Sequence, residues 1–194
     1  MVRYSKEHKE QTRRRIVETS ARRFKQDGVT ASGISTLMAD AGLTNGAFYA
    51  HFASKDDLVA GVVTEQLGWQ VDVIDALTAG RPGIEHIVRT YLSAEHRDQP
   101  DEGCPTVALI DEISRCGEPV RQAYTDGLLR VVDAIAGRLD PADPAPARVR
   151  ALAAFAGMVG TMQLARAVTD PHLSDDLLAR GIENALVTVG VTEH

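Results

Sequence analysis

At 194 residues with only two cysteines, the chain is long enough to bury a substantial core and needs no disulfides. Aromatic residues make up only 5% of the sequence while Ala and Leu are abundant, which favours an all-α protein over one built on sheets. The net charge of −6 does not exclude a nucleic-acid partner, because residues 1–60 carry ten Lys and Arg against seven Asp and Glu. Salt screens distant charges, so the attraction to phosphates depends on the charges near the binding surface.

Four helices fit into the first 81 residues, which contain no proline and are divided by glycines and capping residues. The first covers about residues 6–26 and stops at Gly28. The second covers Ile34 to Ala41, where apolar residues recur every three or four positions, and Gly42 ends it. A third helix follows the cap at Thr44 over residues 45–52, and a fourth starts at Lys55 behind the cap at Ser54.

The remaining sequence predicts further helices separated by turns that contain proline or glycine. The fourth helix continues as an apolar pattern up to the break at residues 80–83 and is long enough to connect two parts of the chain. The predicted helices beyond it cover residues 84–96, 105–115, 119–139, 147–168 and 174–189. About nine helices are expected in total.

The junction between the second and third helices has the form of a helix-turn-helix. Two short helices meet at residues 41–44, where Gly42 allows a tight turn and Thr44 caps the helix that follows. The run TNGAFYAHFASKDDL at residues 44–58 resembles the TetR family pattern Ser/Thr-x-Gly-x-(aromatic or Leu)-Tyr-x-His/Tyr-Phe-x-Ser-Lys-Glu/Asp-x-Leu. The resemblance implies a three-helix DNA-binding domain over residues 1–54 and a helical ligand-binding and dimerisation domain over residues 55–194.

The recognition helix of such a motif places its first residues in the major groove of DNA. We expect Asn45 to contact base edges by paired hydrogen bonds, and Ala47 and Phe48 to do so by apolar contact. A core position for Phe48 is equally open. By resemblance, the phosphate contacts fall to Thr44, Tyr49, His51 and Lys55. Ser35 and Thr36, near the start of the second helix, are expected to add donors for phosphate.

The last two predicted helices carry faces suited to a dimer, which lets a helix-turn-helix protein read major grooves about 34 to 36 Å apart. Small residues on the first of them allow another helix to approach closely, and apolar residues recur at helical spacing on the second. The expected interface residues are Ala153, Ala156, Gly157, Gly160, Leu178, Ile182, Ala185, Leu186 and Val189. A core within one chain has a similar pattern and remains the alternative.

The resemblance also implies an effector cavity between the fourth helix and the helices that follow it. The residues expected to line it are Trp69, Tyr91, His96, Cys104, Val107, Ile110, Asp111, Phe155 and Met162. Core packing is the alternative for each of them. Cys104 precedes Pro105 at a predicted helix start, where a thiolate is stabilised, so it is also a candidate for sensing an electrophile or an oxidant.

Together these features predict a ligand-responsive transcriptional regulator, by resemblance a repressor. It is expected to bind a near-palindromic operator in double-stranded DNA as a homodimer and to be released by a small molecule or an electrophile. The alternatives are an enzyme that uses Cys104 with His96 or Asp111, and a helical adaptor for protein partners.

The sequence contains no paired metal-ligand spacing and no glycine-rich phosphate loop. We therefore expect no metal, no cofactor and no catalytic residue. The highly charged N-terminal stretch lacks an apolar signal segment, and the longest apolar stretch, residues 151–165, is short for a membrane span. These two features predict a cytoplasmic protein without a membrane partner.

Overall fold

The computed structural model describes residues 2–77 and 80–191. Every regular element within these ranges is a helix, which confirms the predicted all-α fold. The helices found there are α1 (Val2–Asp27), α2 (Ile34–Asp40), α3 (Asn45–Phe48), α4 (Lys55–Asp75), α5 (Arg81–Tyr91), α6 (Ala94–Asp98), α7 (Pro105–Arg115), α8 (Glu118–Leu139), α9 (Pro144–Ala167) and α10 (Pro171–Val189). The predicted helix at 84–96 is divided into α5 and α6, because the Ser93 Oγ caps α6 by accepting a hydrogen bond from the His96 N–H at 3.1 Å.

The first three helices enclose a small core of their own. Phe24, Leu37, Phe48 and Phe52 are completely or almost completely shielded from solvent there. The turn between α2 and α3 passes through Gly42, whose φ of +66° lies in the left-handed region that glycine adopts without strain. This turn sets α3 beside α2 in a helix-turn-helix arrangement.

Helix α4 joins this small core to the larger body of the chain. The Ser54 side chain caps it by accepting a hydrogen bond from the Asp57 N–H at 3.1 Å. Helix α4 packs against α1 on the N-terminal side of the molecule and against α8 in the body. The division of the chain after residue 54 stays a prediction, and residues 1, 78–79 and 192–194, which it includes, lie outside the described ranges.

The body places α8 between α4 and α9, with α10 packed along α9. Gly181 permits the close contact of the last two helices, because a Cβ atom there would lie only 2.5 Å from Thr161 Cγ2. Phe155, Met158 and Met162 are buried on the inner face of α9. Within the described part of the chain, every helix is too short or too polar to cross a membrane.

Candidate nucleic-acid interface and effector cavity

The helix-turn-helix presents polar and small residues around the start of α3. Thr44 and Asn45 are exposed there and Ala47 is half-buried, while Ser35 and Thr36 are exposed at the start of α2. These five predicted contact residues are therefore accessible from outside the molecule. Such positions allow contacts with base edges and with the phosphates of a duplex.

Phe48 is a core residue, and its predicted contact with bases is wrong. Its ring is completely buried, with the centroid 5.7 Å from that of Phe52 and 5.1 Å from that of Tyr49. Because α3 has only four residues, its one aromatic side chain is needed to close the small core. Tyr49 is 71% exposed, and its phosphate contact stays a prediction.

Lys55 and His51 are less available to DNA than the sequence indicates. Lys55 Nζ donates a hydrogen bond to the Val29 carbonyl at 2.6 Å, which ties the start of α4 to the loop after α1. This internal contact uses one of the three ammonium donors, and the phosphate contact of Lys55 stays a prediction. His51 is partly buried, and burial lowers its pKa, as do the nearby cations Lys9 and Arg13. Its imidazole is therefore neutral at pH 7.

The cations of α1 extend this surface. The guanidinium of Arg13 lies over the Phe52 ring, 4.7 Å from its centroid. Lys9 and Arg13 both act on the charge of His51, so they lie near the residues that follow α3. Neither cation is among the predicted contact residues. Positive groups beside the exposed residues of α2 and α3 are the charge pattern that attracts a phosphate backbone.

Glu112 on α7 holds the loop that connects α1 to α2. Its Oε2 accepts a hydrogen bond from the Val29 N–H at 2.6 Å, and its Oε1 accepts one from the Thr30 N–H at 3.0 Å. Burial acts to raise the pKa of Glu112, but the two N–H donors outweigh it and hold that pKa below its usual value. Sequence reasoning missed this contact, because no pattern in the sequence links residues more than 80 positions apart.

Lys25 makes a second connection between α1 and the body. Its Nζ donates hydrogen bonds to the Gly103 carbonyl and to Gln66 Oε1, both at 3.1 Å. Gly103 lies just before α7, and Glu112 lies near the end of the same helix. Both ends of α7 are thus fastened to the end of α1 and the loop after it. We call Lys25 and Glu112, with these partners, the α7 clasp.

A cavity of about 390 Å³ lies in the body beside α4, α5 and the segment that leads into α7. Five of the nine residues predicted to line an effector cavity do line this one: Trp69, Tyr91, His96, Cys104 and Phe155. Other parts of its wall come from Gln70, Val73, Ile74, Ile135 and Met158. Apolar atoms form most of the wall surface, as in many small-molecule sites, and polar side chains that include Gln66, His86, Thr90 and Glu102 complete it.

The other four predicted lining residues do not line this cavity. Helix α7 reaches it only at its start, and further on the helix packs on α9, where the Val107 carbonyl accepts a hydrogen bond from Gln163 Nε2 at 3.2 Å. Ile110 is half-buried outside the cavity, and Asp111 is exposed. Met162 is completely buried in the core. The cavity predictions for Val107, Ile110, Asp111 and Met162 are therefore wrong.

His96 connects the end of α5 to the start of α7, and both of its ring nitrogens are used. Its Nδ1 lies 2.6 Å from the Tyr91 carbonyl, and its Nε2 accepts a hydrogen bond from the Cys104 N–H at 3.0 Å. The ring proton therefore belongs on Nδ1, which donates to the carbonyl. Burial lowers the pKa of His96 by more than the hydrogen bond to Tyr91 raises it.

Cys104 is the residue before α7, as predicted, and is 8% exposed. Its Sγ lies 3.4 Å from Gln70 Oε1. Because His96 accepts the backbone N–H of Cys104, it is not placed as a base for the thiol, and Asp111 faces solvent. In residues 2–77 and 80–191, no three His, Cys, Asp or Glu side chains form a group that could hold a metal ion.

Comparison with known proteins identifies the helix-turn-helix region. Residues 16–62 match the family described as "Bacterial regulatory proteins, tetR family". The helix-turn-helix segment of this chain is thus of the TetR family. The TetR match includes all of α2 and α3, the second half of α1 and the first two turns of α4. The residues that carry the predicted resemblance therefore lie inside the matched segment.

Two curated relatives match part of the chain. The uncharacterized HTH-type transcriptional regulator YerO of Bacillus subtilis is 31% identical over 101 residues, which cover 50% of this chain and 35% of YerO. The HTH-type transcriptional regulator TtgR of Pseudomonas putida is 38% identical over 63 residues, which cover 32% of this chain and 30% of TtgR. The chain thus spans about a third of the length of the curated relatives it matches.

Solved structures share the fold of nearly the whole chain. The reduced form of E. coli NemR superposes with a TM-score of 0.75 at 22% identity and covers 90% of this chain and 96% of NemR. The regulator FadR of Bacillus subtilis, solved with stearoyl-CoA, has a TM-score of 0.64 at 16% identity and covers 92% of this chain and 98% of FadR. At these identities the likeness extends to the fold alone.

The outer face of α9 is apolar and exposed in this protomer. Ala153, Ala156 and Gly157 are exposed and Gly160 is half-buried, as an interface with a second copy requires. Sequence reasoning missed three larger side chains that surround these small residues. They are Val149, Leu152 and Leu164, which are 75%, 47% and 57% exposed.

Most of the interface residues predicted on α10 belong to the core of the protomer instead. Leu178, Ala185, Leu186 and Val189 are all 6% exposed or less, because α10 lays this face along α9 of the same chain. Their assignment to the dimer interface is wrong. Ile182 is half-buried, and its place in an interface stays a prediction. Leu173 and Val187 supply exposed apolar surface on the outer side of α10.

Proposed function

We propose that this chain is a ligand-responsive transcriptional repressor. It binds a near-palindromic operator as a homodimer in the cytoplasm and leaves it when a small molecule occupies the cavity. The observation that carries this proposal is the course of α7, which begins at the cavity and two turns later holds the loop that leads into the helix-turn-helix. A ligand that shifts α7 therefore acts on the DNA-reading helices directly.

The DNA contacts come from the exposed residues around α3, with α1 adding positive charge. Asn45 and Ala47 face the bases, while Thr44 and Tyr49 meet phosphates. Lys9, on the exposed face of α1, attracts the backbone and adds to the salt dependence of binding. His51 acts as a neutral hydrogen-bonding group rather than as a cation.

The homodimer forms through the outer face of α9 and the adjoining side of α10. Leu152, Gly157 and Leu164 bring apolar surface to its centre, where Gly157 allows a helix of the second copy to approach closely. The two DNA-binding domains, called the heads below, are then related by a two-fold axis. They present two recognition helices to successive turns of a near-palindrome. Without this pairing, one head reads too few base pairs for a specific site.

Ligand binding changes the balance between two arrangements of the heads. Helix α4 lines the cavity with Trp69 and Gln70, and its first residue, Lys55, binds the same loop that Glu112 holds. A ligand that moves α4 or α7 therefore moves this loop. It releases DNA if it binds the DNA-free arrangement more tightly than the DNA-bound one. The inducer is either a reversible ligand or an electrophile that adds to Cys104 within the cavity.

A gel-shift titration with duplex DNA taken from beside the gene tests this function. We expect saturable binding that weakens steeply as salt is raised. Asn45→Ala removes one base contact and should weaken binding about tenfold, within the range of one good base contact. Failure of the full chain to bind any flanking duplex would rule out the proposal.

A matched pair of charge variants separates specific contacts from general attraction. Lys9→Ala should reduce the slope of log affinity against log salt by about one, since one phosphate contact is lost. Arg130→Ala removes the same charge from the exposed surface of α8, in the body, and should leave the slope unchanged. Equal effects from the two variants would mean that α1 does not approach the DNA.

A further inference from the structure

Trp69 stands where two hollows of the molecule meet. It lines the cavity described above and also a second hollow of about 370 Å³, which lies between α1 and α4. Gln66 and Glu102 line both hollows as well. The Trp69 side chain is 61% exposed, which is unusual for the largest apolar side chain of a globular protein. We call Gln66, Trp69 and Glu102 the junction of the two hollows.

The carboxylates that line the cavity bring negative charge to it. They belong to Glu95 and Glu102, which are exposed, and among the described residues no Lys or Arg lines this cavity. Neither carboxylate forms an ion pair with another described residue. The charge of Glu102 reaches Lys25, but the Lys25 ammonium donates its hydrogen bonds to the Gly103 carbonyl and to Gln66 Oε1. The cavity wall itself therefore leaves this negative charge uncompensated.

The second hollow carries further carboxylates beside the junction. Glu65 and Glu18 line it with Glu102, while Arg22 and Lys25 are the cations of its lining. Glu65 is half-buried one helical turn before Trp69, so both side chains lie on the same face of α4. Burial raises the pKa of Glu65, and the like charge of Glu18 raises it further. A positive charge placed at the junction would relieve this repulsion.

Positive groups of the protein near the cavity are turned to other partners. Arg166 does not line the cavity, and its guanidinium donates to the carbonyls of His96 and Arg97 at 2.5 and 3.1 Å. His96 lines the cavity, but both of its ring nitrogens are used and burial lowers its pKa. The remaining histidine of the lining is His86, which is exposed. These groups do not supply a fixed positive charge to the cavity lining.

An exposed indole and an unpaired carboxylate together are the groups that bind an organic ammonium. The face of a tryptophan ring attracts a cation through its quadrupole more strongly than that of any other side chain. The apolar wall beyond Trp69, which includes Val73, Ile74, Phe155 and Met158, gives room for the apolar part of such a molecule.

We infer that the cavity takes an apolar or aromatic molecule that carries an ammonium group, and that this group lies at the junction, against the Trp69 ring and the Glu102 carboxylate. The inference rests on the proposed function only for the step from binding to release of DNA. Binding itself follows from the volume, the lining and the charges of the two hollows.

Three naphthalene probes of the same shape and different charge test the inference. They are the 2-naphthyltrimethylammonium cation, its uncharged carbon isostere 2-tert-butylnaphthalene and the anion 2-naphthalenesulfonate. Equilibrium dialysis of the full chain at pH 8, where histidine is mostly uncharged, gives the three affinities. We expect the cation to bind at least tenfold more tightly than the anion. It should also bind at least as tightly as the isostere, although its ammonium group must lose water.

Two variants locate the ammonium group by the ratio of cation affinity to isostere affinity. Trp69→Leu keeps an apolar side chain but removes the ring, and should lower this ratio about fivefold. Glu102→Gln keeps the shape but removes the charge, and should lower it about threefold, as expected for an exposed ion pair. Asp101→Asn is the matched control for Glu102, because Asp101 is its neighbour but lines neither hollow, and this variant should change the ratio less than twofold.

Three results would overturn the inference: an anion that binds as tightly as the cation, no binding of the cation, or a ratio that both Trp69→Leu and Glu102→Gln leave unchanged. A gel shift with 2-naphthyltrimethylammonium keeps the two proposals separate. If the cation binds as described but DNA stays bound, the ligand class holds and its role in DNA release fails.

Discussion

Replacing Glu112 with glutamine tests whether the α7 clasp connects the body to the DNA-reading helices. The carboxylate accepts two backbone N–H groups, from Val29 at 2.6 Å and from Thr30 at 3.0 Å. The glutamine amide has the same shape as this carboxylate but only one acceptor oxygen, so its NH2 group must face one of the two donors. One hydrogen bond is lost and the other loses its charge assistance.

The size of the effect follows from those two bonds. A hydrogen bond to a charged group contributes about 1.5–3 kcal/mol when well shielded, and the partial exposure of Glu112 reduces this, so we expect a loss of about 1–2 kcal/mol. Because the loop leads directly into α2, this loss weakens the ordering of the helix-turn-helix. The affinity for operator DNA should fall about 5- to 30-fold, which is the same free energy expressed as a ratio.

Fluorescence anisotropy with labelled duplex measures this affinity, and Asp111→Asn is the control. Asp111 lies next to Glu112 and loses the same charge, but its side chain is exposed and paired with Arg115 at 2.7 Å on the same helix. We expect the control to bind DNA within twofold of the parent chain. If Glu112→Gln also binds within twofold, the α7 clasp does not support the DNA-reading helices and the reasoning fails.

Three further predictions follow from the α9 face, the cavity cysteine and the buried histidine. A Cβ at Gly157 meets nothing within 4 Å, so Gly157→Glu should leave the protomer folded but give a monomer in analytical ultracentrifugation. The control is Gly137→Glu on α8, where an added Cβ is equally free of neighbours, and this variant should stay dimeric. Cys104→Ser should keep DNA affinity and lose any release of DNA by N-ethylmaleimide; retained release excludes Cys104 as the sensor. The lowered pKa of His96 means that the unfolded chain takes up a proton before the folded one, so the free energy of unfolding should fall as pH drops below about 6.5. His96→Gln should flatten that fall in urea titrations, and an unchanged slope would contradict the buried, neutral state.

The sequence predicted the elements whose signals are local. The apolar spacing from Ile34 to Ala41, the Gly42 turn and the Ser54 cap each act over a few residues, and the structure has helices at those places. Helix α6 escaped separate prediction because no proline or glycine marks the break between Leu92 and Ala94, and the cap at Ser93 is one serine within a helix-forming stretch. Local patterns thus gave the order of the helices but not every break between them.

Contacts between distant elements lie outside what such patterns contain. An apolar face on α10 is the same whether it packs on α9 of its own chain or on a second copy, so Leu186 was assigned to the wrong partner. Asp111 and Glu112 are adjacent acidic residues in the sequence, yet one faces solvent and the other binds Val29. Which of them acts depends on how α7 is rotated against α1, and the sequence alone does not determine that rotation.

The central claim is that the cavity and the DNA-reading helices are coupled, and coupling is reciprocal. The most direct measurement is the calorimetric affinity of a small molecule that quenches the fluorescence of Trp69, the cavity's tryptophan, for the full chain, with and without a saturating amount of operator duplex. If ligand and DNA favour opposite arrangements of the heads, the duplex should weaken ligand binding about fivefold or more, and Glu112→Gln should reduce this difference. Equal ligand affinity with and without bound DNA would contradict the account.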